Sequence, residues 1–180
     1  MGGAVVTHVA ISNKLPSILA VAVLDVVEGS AIDALGKMSV YLANRPSQFD
    51  SLERAIGWHI KSRTLRNPES AQVSVPPLLY PDESNWRWRV DVVQTQPFWE
   101  EWFHDLSLKF LSMTCGKLLI LAGTDRLDKT LLIGQMQGKF QLSILPEAGH
   151  FVHEDEPGKV AQLLMQLWHN YAGLSLPKQL

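Results

Sequence analysis

Three polar residues of this sequence stand where acid–base groups are found in proteins built from parallel strands. Asp25 ends the apolar run 18–24, and Asp125 follows the apolar run 117–122. His150 lies in a Gly-His turn after a third strand-like segment. In open α/β sheets, catalytic groups gather at the carboxyl ends of the strands. A carboxylate and the histidine that it orients are the acid–base part of a hydrolase triad, so these residues predict hydrolysis by nucleophilic catalysis.

A histidine base of this kind needs a nucleophile, and the first residues indicate where it would lie. The nucleophile elbow reads Gly-x-Ser-x-Gly and is followed by a helix packed so closely that it needs small residues. Met1-Gly2-Gly3, followed by an apolar helical segment, has the form of the second half of that elbow. We therefore expect the nucleophilic serine to precede Met1, whose backbone N–H would supply half of the oxyanion hole. Without that serine, the 180 residues are expected to be inactive alone.

Other reactive side chains are weaker candidates. His153 makes an H-x-x-H pair with His150, but the H-E-x-x-H pattern of a zinc site is absent, so neither a metal nor another cofactor is expected. Cys115 is the single cysteine, which excludes an internal disulfide and fits a reducing compartment. The remaining histidines fall in predicted helices and are interpreted as structural or solvated: His8, His59, His104 and His169.

Composition favours a globular domain without a nucleic-acid or membrane partner. The chain has 180 residues, of which 46% are hydrophobic and 19% charged, enough to build a sizeable core. A net charge of −2 gives no electrostatic attraction to nucleic acid or to an anionic membrane. The apolar run at the start breaks at residues 12–14, short of the roughly 20 residues that span a bilayer.

The periodicity of apolar residues predicts the elements that position the candidate groups. Residues 3–12 are apolar nearly all round, which is typical of a buried helix. The runs 18–24 and 117–122 predict parallel, central strands covered on both faces. Residues 139–145 alternate and predict a half-exposed strand near the sheet edge. Helical spacing predicts two further helices, over residues 32–42 and 160–171.

The order helix, strand, helix, strand, strand, helix predicts the C-terminal part of an open α/β sheet. Between residues 44 and 113 the composition changes, because this segment holds five of the six tryptophans and most of the prolines. We interpret residues 44–113 as a cap insertion over the sheet, with the core in residues 1–43 and 114–180. In this chain alone, the strand 18–24 is expected to have one unpaired, exposed edge. Unpaired strand edges favour aggregation, so we expect the chain alone to be poorly soluble.

The aromatic residues of the cap insertion allow two interpretations. They either build its own core or form part of a groove for an apolar peptide tail. Helix-face spacing across residues 98–106 supports the first. Arg87 and Arg89 are interpreted as solvated surface. The aromatic residues concerned are Trp58, Trp86, Trp88, Trp99, Trp102 and Phe103.

Longer stretches of the chain resemble the protein phosphatase methylesterases, a family of α/β hydrolases. The most distinctive is LLILAGTDRLDKTLLIGQMQGKFQL. Others are MGGAVVTH, LDVVEGSAIDAL, RPSQFDSLERAIGWHIKS, RNPESAQVS and GHFVHEDEP. The resemblance runs from residue 1 to about residue 171. It implies the C-terminal part of an α/β-hydrolase fold, a mostly parallel sheet flanked by helices, with a helical and irregular cap insertion.

The resemblance also implies a carboxylic-ester hydrolase that removes the methyl ester from the C-terminal leucine of the protein phosphatase 2A catalytic subunit. It implies a cytoplasmic protein, with the nucleus as a second location. The triad would be the serine before Met1, Asp25 and His150. Fold analogy alone favours Asp125 as the acid, whereas the family motif LDVVEG places the acid at Asp25. Asp125 therefore stays the alternative.

Two other functions stay open on the sequence alone. One is a non-catalytic fragment that binds the phosphatase without demethylating it. The other is a different α/β-hydrolase esterase, against which the stretch IGQMQGKFQ argues by resemblance. A reading frame that encodes Gly-His-Ser directly before Met1 would favour the methylesterase.

Overall fold

The computed structural model describes residues 1–15, 17–123 and 127–173. The helices are α1 (Gly2–Ile11), α2 (Glu28–Asn44), α3 (Leu52–Lys61), α4 (Pro68–Ser74), α5 (Trp99–Phe103), α6 (Leu106–Ser112), α7 (Lys129–Met136), α8 (Val152–Asp155) and α9 (Pro157–Ala172). The strands are β1 (Ala20–Leu24), β2 (Gln48–Phe49), β3 (Leu79–Asp82), β4 (Asn85–Trp88), β5 (Gly116–Leu121) and β6 (Gln141–Ile144). None of the helices in these ranges is long and apolar enough to cross a membrane.

Within the described ranges, three parallel strands form the main sheet, in the order β1–β5–β6. Ala22 of β1 is paired with Leu118 of β5, and Leu119 of β5 is paired with Leu142 of β6. The parallel pairing is confirmed, and β6 lies at an edge of the sheet that the described residues form, as predicted. β1 lies at the other edge of the sheet formed by the described residues, which agrees with the exposed edge expected of the strand 18–24 and not with its prediction as a central strand. A continuous apolar run indicates that both faces of a strand are covered, but it does not indicate whether both edges are paired.

Side chains of β5 alternate between two apolar cores, one on each face of the sheet. Leu119 and Leu121 pack with Val23 of β1 and with apolar residues of α1, α6 and α7. Leu118 and Ile120 point to the opposite face and pack against α9. Helices therefore cover both faces of the strand whose carboxyl end approaches the candidate site.

Helix α1 is buried on one side only. Ala4 and Thr7 are buried, and the Thr7 hydroxyl donates to the Gly3 carbonyl at 2.8 Å. Val5 and Val9 are 53% and 41% exposed. The prediction of an all-round buried helix is therefore wrong for its outer face, because apolar composition alone does not show which neighbours cover a helix.

Gly116 allows α9 to pack closely against the start of β5. A Cβ at this position would lie 2.4 Å from the Tyr171 ring. We expect Gly116→Ala to lower the free energy of unfolding by about 1–3 kcal/mol, because the ring and the strand must separate. Gly36→Ala is the matched control. No atom lies within 4 Å of a Cβ there, so we expect a gain of up to about 1 kcal/mol from higher helix propensity. Urea denaturation measures both changes, and equal stability of the two variants would contradict the prediction.

The cap insertion has its own antiparallel sheet, in the order β2–β4–β3. Its helices begin at side-chain caps: the Ser51 hydroxyl accepts from a backbone amide of α3, and the Asn67 side chain accepts from two amides of α4. The Phe49 ring lies 5.4 Å from the Trp88 ring and 6.0 Å from the Trp58 ring. These tryptophans therefore pack in the core of the cap insertion, as the first of the two interpretations predicts.

The end of the cap insertion packs on the main core rather than on its own sheet. The helix face predicted across residues 98–106 is interrupted at Asp105, whose φ of 55° separates α5 from α6. Phe103 is buried against Ala4 of α1. Phe110 belongs to the apolar core on the α1 face of the main sheet. The last helix of the segment, α6, thus contacts the main sheet as well as following the cap insertion in sequence. The boundaries of the cap insertion at residues 44 and 113 therefore stay a prediction.

His59 is a buried histidine at the centre of the cap insertion. It is 4% exposed, and its Nδ1–H donates to the Ala55 carbonyl at 2.8 Å. Burial lowers the pKa of His59 below its ordinary value, and the Arg45 guanidinium acts in the same direction. The Ala55 carbonyl and the Glu154 carboxylate act against that lowering. The neutral imidazole is therefore the form that the folded state favours.

This burial predicts that acid destabilises the fold through His59. Below the unfolded pKa of about 6.5, the unfolded state binds more protons at this residue than the folded state does, so stability falls as pH falls. We expect His59→Gln to reduce the loss of melting temperature between about pH 7.5 and pH 5.5. His169→Gln is the matched control, because the exposed His169 makes the same contact with a carbonyl four residues earlier. An unchanged pH dependence in His59→Gln would contradict the prediction.

Candidate active site

The structure brings Asp25 and His150 together although they are 125 positions apart. Asp25 directly follows β1, and His150 lies in the loop between β6 and α8. The His150 Nδ1–H donates to Asp25 Oδ2 at 3.0 Å. A carboxylate accepts only, so this contact places the proton on Nδ1 and leaves Nε2 as the acceptor nitrogen.

Asp25 is held rigidly at the end of β1. Its side chain is fully buried, and its φ of 50° lies in the left-handed region, which Asp tolerates better than most residues. The Asp25 backbone N–H donates to the Ile120 carbonyl at 2.7 Å. The Ala122 N–H donates to Asp25 Oδ1 at 2.9 Å. One carboxylate oxygen is thus fixed by the residue that follows β5, while the other faces the histidine.

His150 presents its ring to the surface. Its side chain is 63% exposed, in contrast to the buried carboxylate. The Phe151 ring lies 5.3 Å away in an edge-on arrangement. No hydrogen bond joins Nε2 to another residue within the described part of the chain. Nε2 of this largely exposed ring is therefore the nitrogen to which a reacting hydroxyl or water could donate.

The first turn of α1 lies beside the Asp25 end of β1. A Cβ on Gly3 would lie 2.9 Å from Val23 Cγ1 and 3.1 Å from Val26 Cγ2, so a larger residue would collide. This close approach is the packing expected of residues that follow a nucleophile elbow. Met1 is the N-cap residue of α1.

Of the other candidates of the sequence analysis, His153 and Cys115 do not join this pair. Asp125 lies outside the described residues. His153 Nε2 is 3.7 Å from a Glu154 carboxylate oxygen, on the exterior. Among the residues that the structure describes, no three His, Cys, Asp or Glu side chains are grouped as a metal site would require. Burial raises the pKa of the Cys115 thiol, which makes it a poor nucleophile.

Sequence reasoning missed the support of the histidine loop. The Gly149 N–H donates to Asp155 Oδ2 at 2.7 Å, so a carboxylate in α8 holds the backbone just before His150. The acidic run Glu154-Asp155-Glu156 was visible in the sequence, but nothing in it indicates which carboxylate turns back toward the loop.

Surface clefts lie in and beside the cap insertion. One, of about 390 Å³, is lined by Arg45, Tyr80, Arg87 and Trp88 among others. Arg87 forms an ion pair of 2.7 Å with Asp82 and is half exposed, as predicted for solvated surface. The second cleft, of about 880 Å³, lies between α2 and the segment Val92–Phe98 and includes Trp99. Trp88 and Trp99 thus line clefts in addition to packing against other side chains. The interpretation of the aromatic residues as a groove for an apolar peptide tail therefore stays a prediction.

The chain matches a model of the alpha/beta hydrolase family over residues 1–163. It is 56% identical to protein phosphatase methylesterase 1 of Aspergillus fumigatus, covering 98% of this chain and 44% of that protein. It is 52% identical to the protein of the same name from Schizosaccharomyces pombe, covering 98% of this chain and 52% of that protein. The chain therefore spans about half the length of the curated relatives that it matches.

Solved structures agree on the fold. E-2-(acetamidomethylene)succinate hydrolase superposes with a TM-score of 0.71 at 16% identity, covering 92% of this chain and 62% of that one. A Mycobacterium tuberculosis esterase superposes with a TM-score of 0.66 at 17% identity, covering 93% of this chain and 59% of that one. At this identity the likeness shows the fold alone, and it confirms the predicted fold class.

Proposed function

The chain belongs to the alpha/beta hydrolase family, and from that premise we propose that it supplies the acid–base pair of a protein methylesterase. The hydrogen bond between His150 Nδ1–H and Asp25 Oδ2 is the observation on which this proposal depends. The name that the relatives share supports the methyl ester as the bond that is cleaved.

The proposed reaction is acyl transfer to a serine followed by hydrolysis. His150 Nε2 takes the proton of the serine hydroxyl as the oxygen attacks the ester carbonyl, and the same proton then leaves with methanol. In the second step His150 Nε2 takes a proton from water, whose oxygen attacks the acyl-serine, and returns it to the serine. Asp25 holds the imidazole in the required tautomer and stabilises the imidazolium. The backbone N–H of Met1 would stabilise the oxyanion, since the residue after the nucleophile supplies that donor.

The proposed substrate is the C-terminal leucine methyl ester of the protein phosphatase 2A catalytic subunit. The family resemblance supports this substrate, and the relatives' names support a phosphatase as the methylated protein. The same resemblance supports a cytoplasmic protein with the nucleus as a second location. No second substrate is favoured by a contact or charge at the site.

Methanol release from two matched peptides tests this proposal. The full-length gene product is incubated with a peptide that ends in leucine methyl ester. A second peptide has a free C-terminus and carries its methyl ester on a glutamate side chain. We expect methanol from the first peptide only. Equal release from both would show a general esterase, and binding of the first peptide without release would show a non-catalytic module; either result contradicts the proposal.

A further inference from the structure

The loop that carries His150 is fastened to the cap insertion. The Arg66 Nη1–H donates to the Glu147 carbonyl at 2.7 Å, at the start of the loop. At its other end, the Ser70 hydroxyl donates to the Glu154 carbonyl at 2.7 Å, and the Ser74 hydroxyl donates to the Glu154 carboxylate. These contacts join segments about 80 positions apart in sequence. The histidine loop is therefore positioned by residues outside the main sheet.

Asp155 is the side chain that links the two segments most directly. Its Oδ1 accepts from the backbone N–H of Arg66 at 2.7 Å and of Asn67 at 3.3 Å. Its Oδ2 accepts from the backbone N–H of Gly149 at 2.7 Å. Three amide donors thus converge on one carboxylate, and bonds to an ionised acceptor are stronger than those between neutral groups.

Gly149 packs so closely against this carboxylate that there is little room for a side chain at position 149. A Cβ on Gly149 would lie 3.0 Å from Asp155 Oδ2 and 3.2 Å from Arg66 Nε. His150 itself is mostly exposed, so few neighbours restrain its ring. The ring position therefore depends on Asp25 at one end and on the backbone of residue 149 at the other.

We infer that Asp155 is a positioning residue for His150. By binding the Gly149 amide and the amides of Arg66 and Asn67 together, its carboxylate fixes the histidine loop against the cap insertion. In this way the cap insertion determines whether His150 Nδ1–H reaches Asp25. This inference rests on the proposed role of His150, but it concerns a hydrogen bond that can be observed without ester hydrolysis.

Proton NMR of the full-length gene product tests the inference. An imidazole N–H that donates to a carboxylate resonates far downfield, and the variant His150→Asn identifies that signal by its loss. We expect the signal to be lost in Asp155→Asn. The asparagine keeps one acceptor oxygen and turns an N–H donor either toward the Gly149 N–H or toward the Arg66 and Asn67 N–H groups, so it can no longer link the two segments. Gly149→Ala disturbs the same contact from the other side, so we expect the same loss. Asp91→Asn is the matched control, since Asp91 accepts from the Val93 backbone N–H, elsewhere in the cap insertion.

The outcomes separate the inference from the proposed function. Spectra are recorded well below the melting temperature of each variant, so a loss of stability alone does not move the signal. A signal at its wild-type position in both Asp155→Asn and Gly149→Ala overturns the positioning role and leaves the proposed function standing. Loss of the signal in Asp91→Asn as well also overturns it, because the effect is then not specific. Absence of the signal in the wild type contradicts the Asp25–His150 pair itself, and with it the proposed function.

Discussion

We expect His150→Ala to lower kcat/KM for leucine methyl ester hydrolysis by about 10⁴- to 10⁶-fold in the full-length gene product. The alanine removes the Nε2 acceptor, so the serine hydroxyl has no base to take its proton. It also leaves Asp25 buried without the imidazole that faces Oδ2. Initial rates of methanol release at several peptide concentrations measure the loss.

The neighbouring histidine provides the matched control for this prediction. His153 lies three positions further on and is also largely exposed, but its Nε2 faces Glu154 rather than Asp25. We expect His153→Ala to leave kcat/KM unchanged. Equal losses in the two variants would show that the loop as a whole, rather than His150 as a base, is what the reaction needs.

Asp25→Asn is the second variant for which we expect a large loss, about 10⁴-fold in kcat. The asparagine oxygen can still accept from the Ala122 N–H, so the end of β1 keeps its contact with β5. Its amide group, however, donates toward His150 Nδ1 and places the imidazole proton on Nε2. That tautomer cannot accept the serine proton, so we expect the rate to fall while the fold and the substrate affinity are kept.

Asp105→Asn is the control for this substitution. Asp105 also has a left-handed backbone, with a φ of 55°, and its Oδ2 also lies 3.0 Å from a histidine Nδ1, that of His104. Both side chains of this second pair are exposed, in contrast to the buried Asp25. We expect kcat to be unchanged in Asp105→Asn. If Asp25→Asn were equally harmless, Asp25 would not be the residue that orients the base.

The main sheet could be predicted from sequence because its signals are local. The apolar run of β5 and the alternation of β6 each report the burial of one strand. The break between α5 and α6 could not be predicted. The apolar residues of the segment 98–106 keep helical spacing in the sequence, and nothing in that spacing shows that Asp105 adopts a left-handed backbone conformation. The edge position of β1 among the described residues agrees with the exposed edge expected of the strand 18–24. Its prediction as a central strand was wrong, because an apolar run reports that the faces of a strand are covered and not that its edges are paired.

The candidate pair could be predicted, but its support could not. Asp25 and His150 follow strand-like segments, and the ends of parallel strands meet at one edge of a sheet. Asp155 reaches Arg66 across 89 positions, and no periodicity relates the two. Its role appears only when the cap insertion is placed against the histidine loop.

The most direct test of the account is a comparison of Asp25→Asn, His150→Ala and the double variant in the full-length gene product. Residues that act as one unit in catalysis have strongly non-additive effects. We predict that the double variant loses no more kcat/KM than His150→Ala alone, because Asp25 acts only through the imidazole. A double variant whose loss is the product of the two single losses would contradict the account, since each residue would then act independently.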